Sequence, residues 1–180
     1  MVLPTGYGRI DDTVYLHGST GAGYLRAIDG TRICVTVTHL DGIVYARSVF
    51  HHSMNYRSAV VHGIARHVAD VGEKWAALEV IVEHLAPGSW TYSRQPDRRE
   101  LAATTVIALS LSEASVKVRS GPPSDDADDI AAGDRWAGVL PVHSVFGTPE
   151  SCPTTVPLGE WVPEHVTNRE RPRLGRRSAE

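Results

Sequence analysis

Arg32-Ile-Cys-Val-Thr-Val-Thr38, with His39-Leu40, Asp41-Gly42 and Ile43-Val-Tyr-Ala-Arg-Ser-Val49 behind it, decides the fold class. β-Branched side chains crowd this stretch, and such residues fit a pleated, half-buried surface better than a helix. Asp-Gly is a strong signal for a two-residue turn, so Arg32–Thr38 and Ile43–Val49 are expected to be the arms of a hairpin.

Working outward, Thr13-Val-Tyr-Leu-His17 reads as a strand after the polar turn Gly8–Asp12. Ser19 to Asp29 suits a short helix closed by Gly30, because Tyr24, Leu25 and Ile28 fall on one face. On the other side, the loop His51–Asn55 leads into a long strand from Tyr56 to His67. Asp70 and Glu73 form a capping-box pair before Trp75, Leu78, Ile81, Val82 and Leu85, which recur at helical spacing until Pro87-Gly88 stops them. A further helix is expected from Asp97 to about Thr104, then a strand Val106–Leu111, which Ala114–Arg119 either continues or pairs with. Residues 121–129 form an acidic loop, and Trp136-Ala-Gly-Val-Leu-Pro141 is the last ordered apolar segment.

The pattern is strands with helices inserted between them, without a βαβ series or a glycine fingerprint. That disfavours a doubly wound dinucleotide fold and predicts a mainly β fold, a β-barrel with inserted helices. The barrel domain is placed at 1–147. Residues 148–180 are dense in proline and charge and are expected to be an extended or disordered tail.

The chain has 180 residues and a formal net charge of −3, a balance that argues against nucleic acid as a partner. No apolar stretch approaches the ~20 residues needed to cross a bilayer, and the first residues lack the pattern of a secretory signal, so a soluble cytoplasmic protein without a membrane partner is expected. Cys34 and Cys152 make no disulfide framework. Cys34, in an apolar run, reads as a small core residue.

Three segments can carry chemistry. In Tyr15-Leu-His-Gly-Ser-Thr-Gly-Ala-Gly-Tyr24 a strand passes through small residues into a helix, where unpaired amides suit a phosphate. Gly18, Gly21 and Gly23 allow close approach, and Ser19 and Thr20 offer hydroxyls. The same features also describe an ordinary capped helix. In Phe50-His-His-Ser-Met-Asn-Tyr-Arg-Ser58, polar and aromatic groups gather at a strand entrance. Adjacent His51 and His52 would point to opposite faces, and no carboxylate or cysteine nearby completes a set, so no metal site is expected. Arg57 suits either a phosphate or a neighbouring acid. In Lys117-Val-Arg-Ser-Gly-Pro-Pro123, Lys117 and Arg119 fall on one side of a strand, while Trp136 can stack on a planar ligand or fill the core. No Gly-x-Ser-x-Gly elbow is present.

In this order the three segments, with Leu3-Pro-Thr5, resemble the nitroimidazole-resistance branch of the pyridoxamine 5′-phosphate oxidase-like flavoproteins over residues 1 to 142. The resemblance implies an FMN-binding split barrel that forms a homodimer with the flavin at the interface. It also implies that the chain lacks the N-terminal helix and first strand of its relatives, because Met1 falls at the start of the flavin-lining second strand. The implied cofactor contacts are Pro4, Thr5 and Gly6 along the ring, and His17, Gly18, Ser19, Thr20, Gly21 and Gly23 around the phosphate. Further contacts are expected from Tyr56, Arg57 and Ser58, and Trp136 lies near the ring. His17 is the implied catalytic residue, assisting proton delivery. Relatives carry a basic residue near the positions of Ala22 and Gly23, so Arg57, Lys117 or Arg119 must supply the charge. The implied activity is an oxidoreductase that passes electrons from a reduced nicotinamide to a small-molecule substrate, nitroaromatic compounds among the candidates. The alternatives are a non-catalytic flavin carrier or sensor, and a related split barrel holding a deazaflavin or haem.

Overall fold

The structure, a computed structural model, describes residues 2–154 and 161–169. The chain runs β1 (Tyr7–Ile10), β2 (Thr13–Ser19), α1 (Gly23–Ala27), β3 (Arg32–Tyr45), a 3-10 turn (Val49–His51), β4 (Ser53–Ile64), β5 (Arg66–His67) and α2 (Val71–Leu85). There follow α3 (Ser89–Tyr92), α4 (Arg98–Ala103), β6 (Thr104–Ser110), β7 (Glu113–Arg119), α5 (Ala127–Ala132), β8 (Gly138–Pro141) and α6 (Glu164–Thr167). Two antiparallel four-stranded sheets result, in the orders β1-β2-β6-β5 and β7-β4-β3-β8. This is the expected mainly β split barrel.

The first sheet is buried on both faces, which explains the continuous apolar run of β6, where Thr105 through Leu109 are all buried. Its outer face packs Tyr15, Val106 and Ala108 against Val68, Ala77 and Ile81, the last two from α2. Its inner face packs Val14, Leu16 and Ile107 against Leu25 and Ala65, with Ile33 and Val35 reaching in from the second sheet. Each such aliphatic side chain contributes about 1.5–3 kcal/mol when buried. Gly8 lets α2 lie directly on β1, since a Cβ there would sit 2.6 Å from the Ile81 amide nitrogen and 2.7 Å from the Val80 carbonyl carbon.

The decisive stretch folds differently from its expectation. Arg32–Tyr45 is one fourteen-residue strand, and Asp41-Gly42 is no hairpin turn but a register shift between Leu40 and Gly42 against β4. The expected returning arm therefore ends at Tyr45, and the hairpin partner of β3 is β4. A bulge satisfies the extra residue without reversing the chain. The positive φ that an Asp-Gly hairpin turn exploits is not adopted at Gly42. Two tertiary partners hold the strand straight: β8 pairs with Gly42 through Tyr45, and Arg57 grips Asp41 from β4.

Other boundaries shift for local reasons. The helix expected from Ser19 to Asp29 is confined to α1, since Ser19 belongs to β2 and pairs with Thr104. The strand expected to end at His67 breaks at buried Ala65, whose amide donates to Thr31 O while its carbonyl accepts from Gly30. There the chain leaves the second sheet, and β5 joins the first beside β6. β7 pairs with β4, not with β6. The capping box at Asp70 is half-made: Asp70 accepts from the Glu73 amide, but the Glu73 carboxylate turns to Arg66 and Tyr15. The full box forms at Asp97 and Glu100. Cys34, read as a core residue, is exposed, because its strand position faces outward.

Within the C-terminal segment, α6 packs against the turn after α2. A Cβ on Gly88 would meet His165 Cβ at 2.8 Å, and the His165 ring lies 4.8 Å from that of Tyr92. Residues 155–160 and 170–180 of the expected tail lie outside the described residues. No helix among the described residues is long and apolar enough to cross a membrane.

Candidate functional site

The β2–α1 turn is built by close approach. Gly18 leaves room for the buried Leu25 side chain, since a Cβ there would lie 2.5 Å from Leu25 Cδ1 and force that side chain to repack. Beyond it the chain turns on itself. The Gly21 amide donates to Ser19 Oγ at 3.1 Å, the Ala22 amide to Ser19 O at 2.9 Å, and the Thr20 amide to Ala103 O at 2.9 Å. Three amides of the expected phosphate loop are thus committed within the chain. Those of Gly23 and Tyr24 donate to no backbone acceptor among the described residues. Arg26, one turn into α1, donates to Thr20 O at 3.1 Å and brings a guanidinium to the loop. It lies three residues beyond Gly23, and the sequence reading missed it.

His17 precedes this turn on β2, on the face it shares with Tyr15. Its Nδ1 is buried and makes no hydrogen bond; the only other buried side-chain nitrogen or oxygen like it among the described residues is Arg47 Nε. A buried polar atom without a partner is costly, of order 1–3 kcal/mol, and native folds rarely tolerate one without a reason. Nearby, Tyr15 donates to Glu73 at 3.0 Å while Arg66 forks the same carboxylate. The Arg66 guanidinium holds the Glu73 carboxyl below the usual range, and burial raises the Tyr15 hydroxyl above its ordinary value.

A second group of expected contacts gathers on the outward face of the other sheet. Tyr56 pairs with Leu40 and Arg119, and Ser58 pairs with Thr38 and Lys117 in adjacent rows. Strand alternation therefore places Tyr56, Ser58, Lys117 and Arg119 on one surface. Ser58 Oγ lies 2.9 Å from Thr38 Oγ1. Arg119 is held by the buried Asn55 carbonyl, and Asn55 in turn donates to Gly121 O at 3.0 Å. Lys117 forms no hydrogen bond or ion pair among the described residues. Arg57 points the other way and forks Asp41 with two bonds of 2.8 Å, which hold that carboxyl below its ordinary value. Of the two readings open for Arg57, the structure shows the neighbouring acid.

The same outward surface continues into exposed apolar residues. Ile43 pairs with Met54 on one side and Leu140 on the other, and both partners are about half exposed. Tyr45 follows, with its ring 6.0 Å from Trp136 and 5.7 Å from His52. Trp136 covers Gly138 yet is 70% exposed, so it neither fills the core nor lies free of the sheet. His51 and His52 take separate partners: His51 Nε2 lies 3.3 Å from Asp126, and His52 Nδ1 lies 3.0 Å from Ser48 O. Arg47 ties the acidic loop to this end through two 2.7 Å bonds to Asp125, a pairing no local spacing announced. No group of three metal-ligating side chains converges among the described residues.

Pro4, Thr5 and Gly6 lead into β1 past the end of α2, where a Cβ on Gly6 would lie 2.8 Å from Leu85 Cδ1. The structure thus brings His17 to Gly23 together at one turn, and Tyr56, Ser58, Lys117 and Arg119 together on another surface.

Residues 1–118 match the family model described as pyridoxamine 5′-phosphate oxidase. The flavocytochrome Anf3 from Azotobacter vinelandii is 39% identical, with a TM-score of 0.86 over 94% of this chain and 78% of that one. The FAD and haem binding protein from Mycobacterium smegmatis is 40% identical, with a TM-score of 0.86 over 92% of this chain and 81% of that one. A Bacteroides thetaiotaomicron protein described as a 5-nitroimidazole antibiotic resistance protein shares the fold at 22% identity, with a TM-score of 0.51 over 64% of this chain and 67% of that one. No curated protein sequence matches the chain. With its split barrel and the match over its first 118 residues, the chain belongs to the pyridoxamine 5′-phosphate oxidase-like split-barrel family.

Proposed function

We propose that the chain binds a flavin and works as an oxidoreductase, with His17 beside the ring and the turn from Gly18 to Gly23 near the phosphate. The observation that carries this reading is His17 Nδ1, a buried ring nitrogen with no partner at the end of β2. A flavin edge, rich in hydrogen-bonding N and O atoms, is the kind of group that relieves that cost. The residues present fit such a group: the Gly23 and Tyr24 amides remain for a phosphate, and Arg26 brings positive charge. When bound, the flavin supplies hydride and electron transfer that no side chain of this chain can supply. The chain's own part is to orient the ring, and to hold or move a proton at His17.

FMN is the form the resemblance favours, and FAD is the form named for the Mycobacterium smegmatis relative. Electrons would come from a reduced nicotinamide and pass to a small acceptor, nitroaromatic compounds included. A homodimer is proposed as well, because Leu40, Met54, Leu140 and Trp136 form an exposed apolar surface that a second copy would cover. A second reading adds a haem to the flavin. It is supported by the names of the two relatives at about 40% identity and by His52, whose ring is oriented through one nitrogen only.

Absorbance of the purified protein, with and without added FMN or FAD, tests the proposal. Bands near ~370 and ~450 nm, with the released cofactor identified by mass, are the expected result. A protein that takes up neither flavin overturns it.

A further inference from the structure

We infer that the valine-lined cleft between the two sheets is a second ligand site, which takes a small amphipathic carboxylate such as a medium-chain acyl acid. The cleft has a volume of about 320 Å³. Its walls are Val14 and Leu111 on one side, and Val35, Val37 and Val61 from β3 and β4 on the other. A close-packed interior leaves few voids larger than a water molecule, so a gap of this size calls for an occupant. It falls at the lower end of the range for small-molecule pockets. Water fills it poorly, because a held water needs roughly two to four polar partners and these walls offer only aliphatic side chains. Strands β1 and β7, each the edge of its sheet, both contribute to the lining. Val116 of β7 pairs with Ala59 and so faces inward, yet it is 71% exposed. The cleft therefore opens to solvent along this edge, and a ligand can enter there.

The polar groups of the lining name the ligand class. Arg9 pairs with Val14 and therefore points to the inner face, a guanidinium among apolar side chains. Its own partners are weak: Nε donates to the Asp11 carbonyl, and the Asp12 carboxylate lies 3.7 Å away, with both side chains largely exposed. An exposed pair of this kind contributes little, so Arg9 can turn to a ligand at small cost. His39, which pairs with Arg57 in the β3–β4 ladder, also lines the cleft, and its ring makes no hydrogen bond among the described residues. Arg57 stands with them but is committed to Asp41 through two 2.8 Å bonds. A guanidinium and an imidazole beside an aliphatic slot suit a carboxylate head on an apolar body. At the roughly 30 Å³ that one water takes in the liquid, the cleft accommodates on the order of ten non-hydrogen atoms. Octanoate matches that size, whereas a flavin is far too large. His17 lies towards the other end of β2 from Val14, so this site is separate from the β2–α1 turn and does not rest on the flavin reading.

The test titrates the full purified chain with octanoate in a calorimeter, with octanol as the uncharged control. The wild type is expected to bind octanoate at least about tenfold more tightly than octanol. Arg9→Gln should bring the two to within about twofold of each other. Val37→Phe, which fills the half-buried slot, should weaken octanoate binding at least about tenfold and leave flavin uptake unchanged. Should that variant fold poorly, Val116→Glu at the exposed mouth should cause a similar loss by charge repulsion. A wild type that binds no octanoate overturns the site, as does octanoate binding that Arg9→Gln and Val116→Glu both leave unchanged. Competition between octanoate and FMN also overturns it, because the acid then sits in the flavin site. Loss of octanoate binding as the chain self-associates would give the cleft to a second copy and overturn the inference as well.

Discussion

Replacing Ser19 with aspartate places a negative charge at the mouth of the β2–α1 turn with little disturbance to the turn itself. Ser19 Oγ accepts from the Gly21 amide, and an aspartate oxygen can accept from the same group. The residue is exposed, so the change costs no core packing. A flavin phosphate at this turn carries close to two negative charges. At about 5 Å, and with an effective dielectric between about 40 and 80, the repulsion is roughly 1.7–3.3 kcal/mol. That weakens flavin binding about 20- to 250-fold at low salt. At about 0.15 M salt, screening over a Debye length of ~8 Å roughly halves the energy and leaves about 5- to 20-fold. Quenching of flavin fluorescence, titrated at both salt concentrations, measures this directly. Ser19→Asn, similar in size and uncharged, should stay near the parent. Equal affinity for Ser19→Asp and the parent at low salt would refute the phosphate site, and equal losses in Asp and Asn would show that shape, not charge, is responsible.

Acid should act through Glu73, whose carboxyl is depressed first by the Arg66 hydrogen bond and further by Tyr15. A depressed folded value means the unfolded chain binds the proton more readily. The contribution is therefore complete above the ordinary value of 4.5 and is lost as pH falls through the lower folded value. Melting temperature should fall more steeply between pH 6 and about pH 3 in the wild type than in Glu73→Gln, and parallel curves would contradict the clamp. Gly8→Ala should destabilise by about 1–3 kcal/mol or more in urea, because the added carbon meets main-chain atoms of α2 that cannot rotate away. Ile81→Ala, with its side chain 1% exposed, should cost about 2–5 kcal/mol. The two sites touch, so the double variant should fall short of the sum.

The strands were legible wherever composition and alternation agreed: Thr13–His17 and Arg32–Thr38 lie in strands, and so does the segment expected from Val106 to Leu111 up to Ser110. The Asp41-Gly42 turn misled because turn propensity is local, whereas β3 is held on both edges by partners far along the chain. Arg57 and β8 outweigh a dipeptide preference worth little by itself. The rows of the outward face could be read in part, since Lys117 and Arg119 two residues apart had to share a side. Their register with Tyr56 and Ser58 required the β4–β7 pairing, which nothing in either segment specifies. The Glu73 side chain shows the same limit. Its spacing from Asp70 fits a capping box, but a guanidinium from Arg66 and a hydroxyl from Tyr15 outbid the Asp70 amide.

The pairing of β2 with β6 has a consequence for the newborn protein. Thr13 finds its partner in Ser110, and the Thr20 amide finds its acceptor in Ala103, so neither contact exists until most of the polypeptide has left the ribosome. The β3–β4 ladder joins near neighbours and can zip up much earlier, since closing a short loop costs less entropy. The β2–α1 turn is therefore among the last parts to set during synthesis. A ribosome that stalls before residue 104 releases a fragment that has one ladder in place and no strand beside His17 on the β6 side.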